Sequence, residues 1–480
     1  MNCQPLAPVW NISDPPSGVD LSTESYDWHE VKETHEDVSN LTQYRLYTTD
    51  KEAFWLPASA HLQVTFQVKD NGGSALAVTD YTSLVGDALA CFENMRLRFD
   101  NNEIAQLDKP AKSHVMRALV EYTKEYAETI GQNQYFYPDS ASDQAAVTSV
   151  APTVNRTAVA GTTDLSAESG ADLYKPQGMY HEHQILFTAA NPTAVSGLIR
   201  SNPNFSKEHK IRVDSSTGTV TAMIPLACVF PIMGEWDRVF KGTRIEVEAT
   251  KVNSVSEATF GAVASEPTLS VSGISMWIAR LKPSLPILSD IEKTLVSQSQ
   301  ARFKYNHMEL YHKDNIEKTT LSQSYRVASE HARPTLLVVG FQDTNRSTNH
   351  KLNTLQFDRV NVSKIHVRLN GHQYPLEEYA PGDDHSRVLA DIYRVGCKQG
   401  DEGSSALVTN SNWSSLYPIY VFDLQYQPES SFKSKQIAEV ELRWTLSSAP
   451  TNNYDVQCLL FSEREIEFDY KMGSMKTRRL

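Results

Sequence analysis

The sequence predicts an all-β protein built from two consecutive eight-stranded antiparallel jelly rolls, with a short helical and loop insertion in the first. Three observations predict it. Short segments alternate apolar and polar side chains, as strands with one buried face do. Turn residues separate these segments at close intervals, the spacing of an antiparallel sandwich. The same β unit occurs twice, in the same order.

The repetition rests on three echoes. Met95-Arg96-Leu97-Arg98-Phe99-Asp100-Asn101 reads as a strand entering a turn, and Ile365-His366-Val367-Arg368-Leu369-Asn370-Gly371 repeats it. Arg244-Ile245-Glu246-Val247-Glu248 is echoed by Glu439-Val440-Glu441-Leu442-Arg443, and Ile274-Ser275-Met276-Trp277-Ile278 by Val456-Gln457-Cys458-Leu459-Leu460.

Residues 1–40 carry four prolines and many acids without periodicity, and read as an N-terminal arm. The first roll is expected over 41–283. Leu62, Val64, Phe66 and Val68 alternate with polar partners, and Asp70-Asn71-Gly72-Gly73 supplies the turn. An insertion is expected at about 105–180. Its first part holds Val115, Met116, Leu119, Val120 and Tyr122 at helical spacing behind a Ser113 cap, and residues 138–173, rich in Ser, Ala and Thr, read as a long surface loop. Leu281-Lys282-Pro283-Ser284-Leu285-Pro286 breaks the last strand, so a linker follows over 284–300. The second roll occupies 301–470, with strands from Phe303 and near 325–328, 336–341, 365–369, 417–425, 437–446 and 456–461. A basic tail, 471–480, closes the chain.

At 480 residues the chain is long enough for two large domains. A hydrophobic fraction of 40% beside 21% charged residues marks a globular protein. No run approaches the roughly 20 apolar residues of a membrane span, and the N-terminus has no basic region leading into an apolar core, which points to the cytosol or nucleus. Cys3, Cys91, Cys228, Cys397 and Cys458 lack metal or disulfide spacing and read as buried thiols. A net charge of −13 disfavours broad attraction to a phosphate backbone.

No GxxxxGK(S/T) loop, GxGxxG turn, HExxH or GxSxG is present, and no cofactor is expected. His181-Glu182-His183 places two imidazoles on one face of a strand but names no third ligand, so two hydrogen-bonded histidines are the plainer reading. Asp383-Asp384-His385 offers too few oxygens for calcium and reads as a solvated turn. Glu463, Glu465, Glu467 and Asp469 alternate as acids on the wet face of a strand do, rather than as a catalytic pair. Lys471, Lys476, Arg478 and Arg479 make the tail basic, which suits nucleic acid, a membrane surface or an acidic partner, and equally a solvated chain end.

The ordered series of segments resembles the double jelly-roll major capsid proteins of eukaryotic double-stranded DNA viruses, in particular the Polinton, adintovirus and virophage-like groups. In the first unit the resemblance lies in Ile224-Pro225-Leu226 through Phe230, then Trp236-Asp237-Arg238-Val239-Phe240-Lys241-Gly242-Thr243-Arg244-Ile245-Glu246-Val247, and Ile278-Ala279-Arg280-Leu281-Lys282-Pro283. In the second it lies in Arg333-Pro334-Thr335, Phe341-Gln342, Phe357-Asp358, Leu369-Asn370-Gly371 with Tyr374-Pro375, and Phe422-Asp423-Leu424. It implies a structural protein, not an enzyme: a homotrimer forming pseudo-hexameric capsomers of an icosahedral shell. Neighbouring capsomers, penton and minor capsid proteins are the implied partners, and genome contact runs at most through the basic tail as an inward-facing contact. The implied location is the virion capsid, after synthesis in the host cytoplasm and assembly there or in the nucleus. A carbohydrate- or receptor-binding β-sandwich protein is the alternative, and a β-sandwich glycoside hydrolase a more distant one.

Overall fold

The computed structural model describes residues 22–33, 38–50, 52–74, 82–136, 138, 219–261, 265–297, 300–331, 333–350, 352–381, 385–396, 405–414, 416–425, 438–469 and 474–479. The first roll comprises β1 (Thr23–Lys32), β2 (Gln43–Tyr47), β3 (Phe54–Lys69), β4 (Phe92–Phe99), β5 (Asn102–Asp108), β6 (Val220–Pro225), β7 (Ile245–Lys251) and β8 (Thr268–Pro283). The second comprises β9 (Gln300–Ile316), β10 (Ser322–His331), β11 (Pro334–Asp343), β12 (Val362–Leu369), β13 (His372–Tyr379), β14 (Ile419–Asp423), β15 (Ala438–Leu446) and β16 (Tyr454–Asp469).

The first roll pairs its strands in the orders β1-β8-β3-β6 and β2-β7-β4-β5, and the second in the orders β9-β16-β11-β14 and β10-β15-β12-β13. Adding eight to every label of the first roll yields the second, so both rolls share one four-plus-four framework, to which the first adds the short strands Thr82–Leu84, Phe240–Lys241 and Thr259–Gly261. All the echoes fall on corresponding strands: β4 with β12, β7 with β15, β8 with β16.

The correspondence extends to the turns. Asp100 and Asn101 take φ of 48° and 71°, and Asn370 and Gly371 take 49° and 89°. Positive φ at both central residues joins two twisted strands in a two-residue hairpin. Each turn is then pinned to the neighbouring strand in the same way. The Arg244 N–H donates to Asp100 Oδ1 at 2.8 Å, and the Glu439 N–H donates to Asn370 Oδ1 at 2.8 Å.

Period-two alternation builds the cores. On β3, Leu62, Val64, Phe66 and Val68 are fully buried, facing Met95, Leu97 and Phe99 of β4 and Ile245 and Val247 of β7. Fully burying such side chains stabilises the fold by roughly 1.5–3 kcal/mol each. The second core gathers Tyr420, Trp444 and Tyr454 around Phe341, and the Trp444 indole N–H donates to Tyr454 Oη at 3.0 Å. On the outer face of β7, Glu246 and Glu248 are buried beneath Arg45, Arg98 and Arg244, with Arg98 at 2.9 Å from Glu248.

Several expectations are corrected. Strands do not begin after residue 40: β1 lies inside the expected arm and pairs antiparallel with β8. Its alternation is hidden because most of both faces is open to solvent. Helix α1 (Pro110–Glu121) forms, but Ser113 does not cap it. Lys109 holds the cap position at φ 45°, and Pro110 sits at the first helical residue, where its missing N–H costs nothing. The link between the rolls contains a helix, α2 (Leu285–Ser297). The second roll has a helix of its own, α3 (Ser386–Val395), which buries Val388, Leu389 and Ile392. The 138–173 loop lies outside the described residues, except Pro138.

Candidate functional site

The two rolls meet along a buried seam, and α1 is its centre. Ten of its residues, from Pro110 to Val120, are buried, including the polar Lys112, Ser113 and His114. Lys112 Nζ donates to Gln342 Oε1 on β11 at 3.0 Å, and the Gln342 amide donates on to the carbonyls of Thr354 and Gln356. Burial disfavours the charged amine, and neighbouring Lys109 repels it, so the Lys112 pKa falls to about 8.

Beside the helix, terminal strand β5 of the first roll packs against terminal strand β9 of the second. The Tyr305 hydroxyl donates to the Ile104 carbonyl at 3.1 Å. Trp236, just after the short helix Pro231–Glu235, meets Phe303 edge-on at 4.6 Å. The Asn306 backbone and side-chain amides donate to the two Glu235 carboxylate oxygens at 2.9 and 2.8 Å. Farther along, the Thr354 hydroxyl donates to the Glu257 carbonyl at 2.6 Å, and the Lys124 N–H donates to the Ser405 carbonyl at 2.9 Å. Such a seam makes the pair of rolls one stiff body rather than two linked domains.

Behind α1, His114 Nδ1 lies 2.6 Å from Asp87 Oδ2, both fully buried. Burial opposes the imidazolium, but the Asp87 carboxylate outweighs it and lifts His114 to about 10. Cys228 is buried against the same histidine, which, with the Tyr122 hydroxyl 3.4 Å away, draws its thiol pKa down against the opposing effect of burial. This Asp–His–Cys row has the residue types of a thiol nucleophile with its base, yet Cys228 is 4% exposed and His114 1%. No substrate reaches it in this conformation, so the row acts as a buried ionic staple.

The candidates read from sequence do not converge. Glu463, Glu465 and Glu467 are tied to arginines: Arg333 lies 2.8 Å from Glu463, and Arg302 lies 4.0 Å from Glu465 and 3.4 Å from Glu467. His385 stacks on Trp413 with ring centroids 4.4 Å apart, while Asp383, Asp384, His181 and His183 lie outside the described residues. No group of three or more His, Cys, Asp or Glu is placed to hold a metal among the described residues. Cys91, Cys228 and Cys458 are buried free thiols. In the tail, Lys476, Arg478 and Arg479 fall on a strand, β17 (Ser474–Arg479), rather than on a frayed end, and Lys471 lies outside the described residues. β17 continues the line of β11 along β16, setting Lys476 opposite Glu467 and Arg478 opposite Glu465. The seam residues Lys112, Tyr305 and Asn306 were not singled out from sequence. Lys112 carried a faint signal, lying one helical turn before Met116 on an otherwise apolar face.

Residues 200–466 match the family model of the double jelly roll-like domain. Among solved structures, the chain is similar to that of the Sputnik virophage at 10% identity and a TM-score of 0.56, over 98% of this chain and 92% of that one. It is similar to the Faustovirus major capsid protein at 8% identity and a TM-score of 0.53, over 93% and 91%. It is also similar to the mavirus major capsid protein at 9% identity and a TM-score of 0.50, over 99% and 95%. No curated protein matches the chain by sequence. At these identities the likeness is one of fold.

Proposed function

The chain belongs to the family of double jelly roll-like domains, and from that premise we propose that it is a viral major capsid protein, three copies of which close into a pseudo-hexameric capsomer of an icosahedral shell. One observation carries the reading. A single sheet order is repeated in two rolls locked by a buried seam, and solved major capsid proteins share this fold over nearly the whole chain.

The physics of a shell explains why this design serves. Two similar rolls held rigidly side by side make two near-equivalent wedges, and threefold closure gives six around a ring with no interface left over. The subunit's task is then mechanical: resist bending at the seam and present matched edges to its neighbours. Those neighbours are other capsomers, with penton and minor capsid proteins, in the virion. Synthesis in the host cytoplasm precedes assembly there or in the nucleus.

The basic end is the inward contact in this reading. Deleting residues 471–480 is expected to lower genome content or minor-protein incorporation, and particles unchanged in both would remove that role. The capsid reading itself is tested by expressing the chain with the minor proteins of its source and imaging the product by electron microscopy. Closed shells or arrays of hexagonal capsomers support it; uniformly monomeric protein under every assembly condition defeats it.

A further inference from the structure

The seam inside one chain also specifies how two chains meet. It joins β5, which ends a sheet in the first roll, to β9, which ends a sheet in the second. Because the rolls share one topology, the same pair of edges exists a second time: β13 corresponds to β5, and β1 to β9. Each counterpart is terminal in its sheet, with no partner strand on its other side among the described residues. We propose that β13 of one copy packs against β1 of the next, repeating between chains the contact that β5 and β9 make within one. This rests on the capsomer reading and names the surfaces that close it.

The register makes the correspondence residue-specific. Ile278 of β8 and Leu460 of β16 are equivalent through the echo they end, and they pair with His29 of β1 and Glu309 of β9. His29 therefore corresponds to Glu309, and Ser25 to Trp28 correspond to Tyr305 to Met308. On the strand face that Tyr26 and Trp28 share, the second roll places Asn306, which is bonded to Glu235 of the first roll, and Met308, which is 2% exposed. In the first roll its counterpart is bare, with Tyr26 50% exposed and Trp28 49%. The two rings lie edge to face at 6.3 Å, and Trp28 also meets His61 at 5.8 Å.

The other edge is equally apolar where it should be. Between the pairs Val367–Tyr374 and Ile365–Tyr379, β13 carries extra residues that bulge from the ladder. Leu376 sits on this bulge and is 87% exposed, the most exposed of the large apolar side chains among the described residues. An aromatic pair on one edge and a protruding leucine on the other form a head-to-tail contact, which closes into a ring when the rotation allows.

Native mass spectrometry and bismaleimide cross-linking test this on the full chain, in a background with Cys3 and Cys397 changed to serine. Trp28→Ser and Leu376→Ser are each expected to weaken association on the order of 30-fold or more, the loss of a central interface anchor, with unchanged melting temperatures. Trp28→Cys and Leu376→Cys chains are expected to cross-link when mixed, whereas neither cross-links alone. A parent chain that trimerises while both serine variants trimerise equally well and the mixture stays uncross-linked overturns this contact and leaves the capsomer reading standing. A parent chain that remains monomeric defeats the capsomer reading, and this contact with it.

Discussion

Replacing Lys112 with methionine removes a buried amine from the seam while keeping its length. Lowering the pKa from 10.5 to about 8 corresponds to about 3 kcal/mol of penalty on the charged form, at 1.36 kcal/mol per pH unit. The unfolded chain holds this proton more tightly than the folded one. The sign follows directly: stability rises with pH between about 8 and 10.5, where the unfolded state binds more protons, and the penalty is fully present below about pH 8. The substitution also strips Gln342 Oε1 of its donor, at a cost of about 1–3 kcal/mol. The two effects nearly cancel at neutral pH, so Lys112→Met is expected to change stability there by no more than about 2 kcal/mol. The pH profile separates them. Urea unfolding of both chains at pH 7.5 and pH 10.5 should show the wild type gaining about 3 kcal/mol relative to the variant over that interval. Parallel profiles would refute the claim that the seam buries a charged lysine.

Asp87→Asn leaves the His114 imidazole buried without its counter-charge and is expected to cost about 3–5 kcal/mol near neutral pH, read by urea unfolding. The His114–Asp87 pair itself should lose its stabilising effect as pH rises from about 6.5 through 10, because the folded-state pKa is raised. Gly340→Ala would place a Cβ 2.4 Å from the Phe357 ring, and overpacking of about 1–3 kcal/mol should appear as a lowered Tm. Tyr305→Phe deletes the hydroxyl that binds the Ile104 carbonyl across the seam, for about 1–3 kcal/mol, and calorimetry should show the loss as a lowered Tm in one cooperative transition.

The doubled fold was readable because its central strands are half buried. Met95, Leu97 and Phe99, and Ile365, Val367 and Leu369, face packed cores, so their alternation survives in the sequence. The exposed edge strands β1 and β13 were not readable for the opposite reason. In β1, Tyr26, Asp27, Trp28 and His29 are all exposed, and an edge with no covered face imposes no period. In β13, Pro375 reads as a break, yet a proline is tolerated on an edge strand at a bulge. The seam was hidden too: whether Lys112 is buried depends on a second roll hundreds of residues away, and local pattern places a lysine in solvent. Helix α3 was within reach, since Val388, Leu389 and Ile392 share a helical face.

The central claim, that this double roll is a capsomer subunit, is tested most directly by the mass of the purified chain in solution, by light scattering after size exclusion. A stable species of three times 53.8 kDa, alone or beside larger shells, is expected. A single species of 53.8 kDa at every concentration would contradict it.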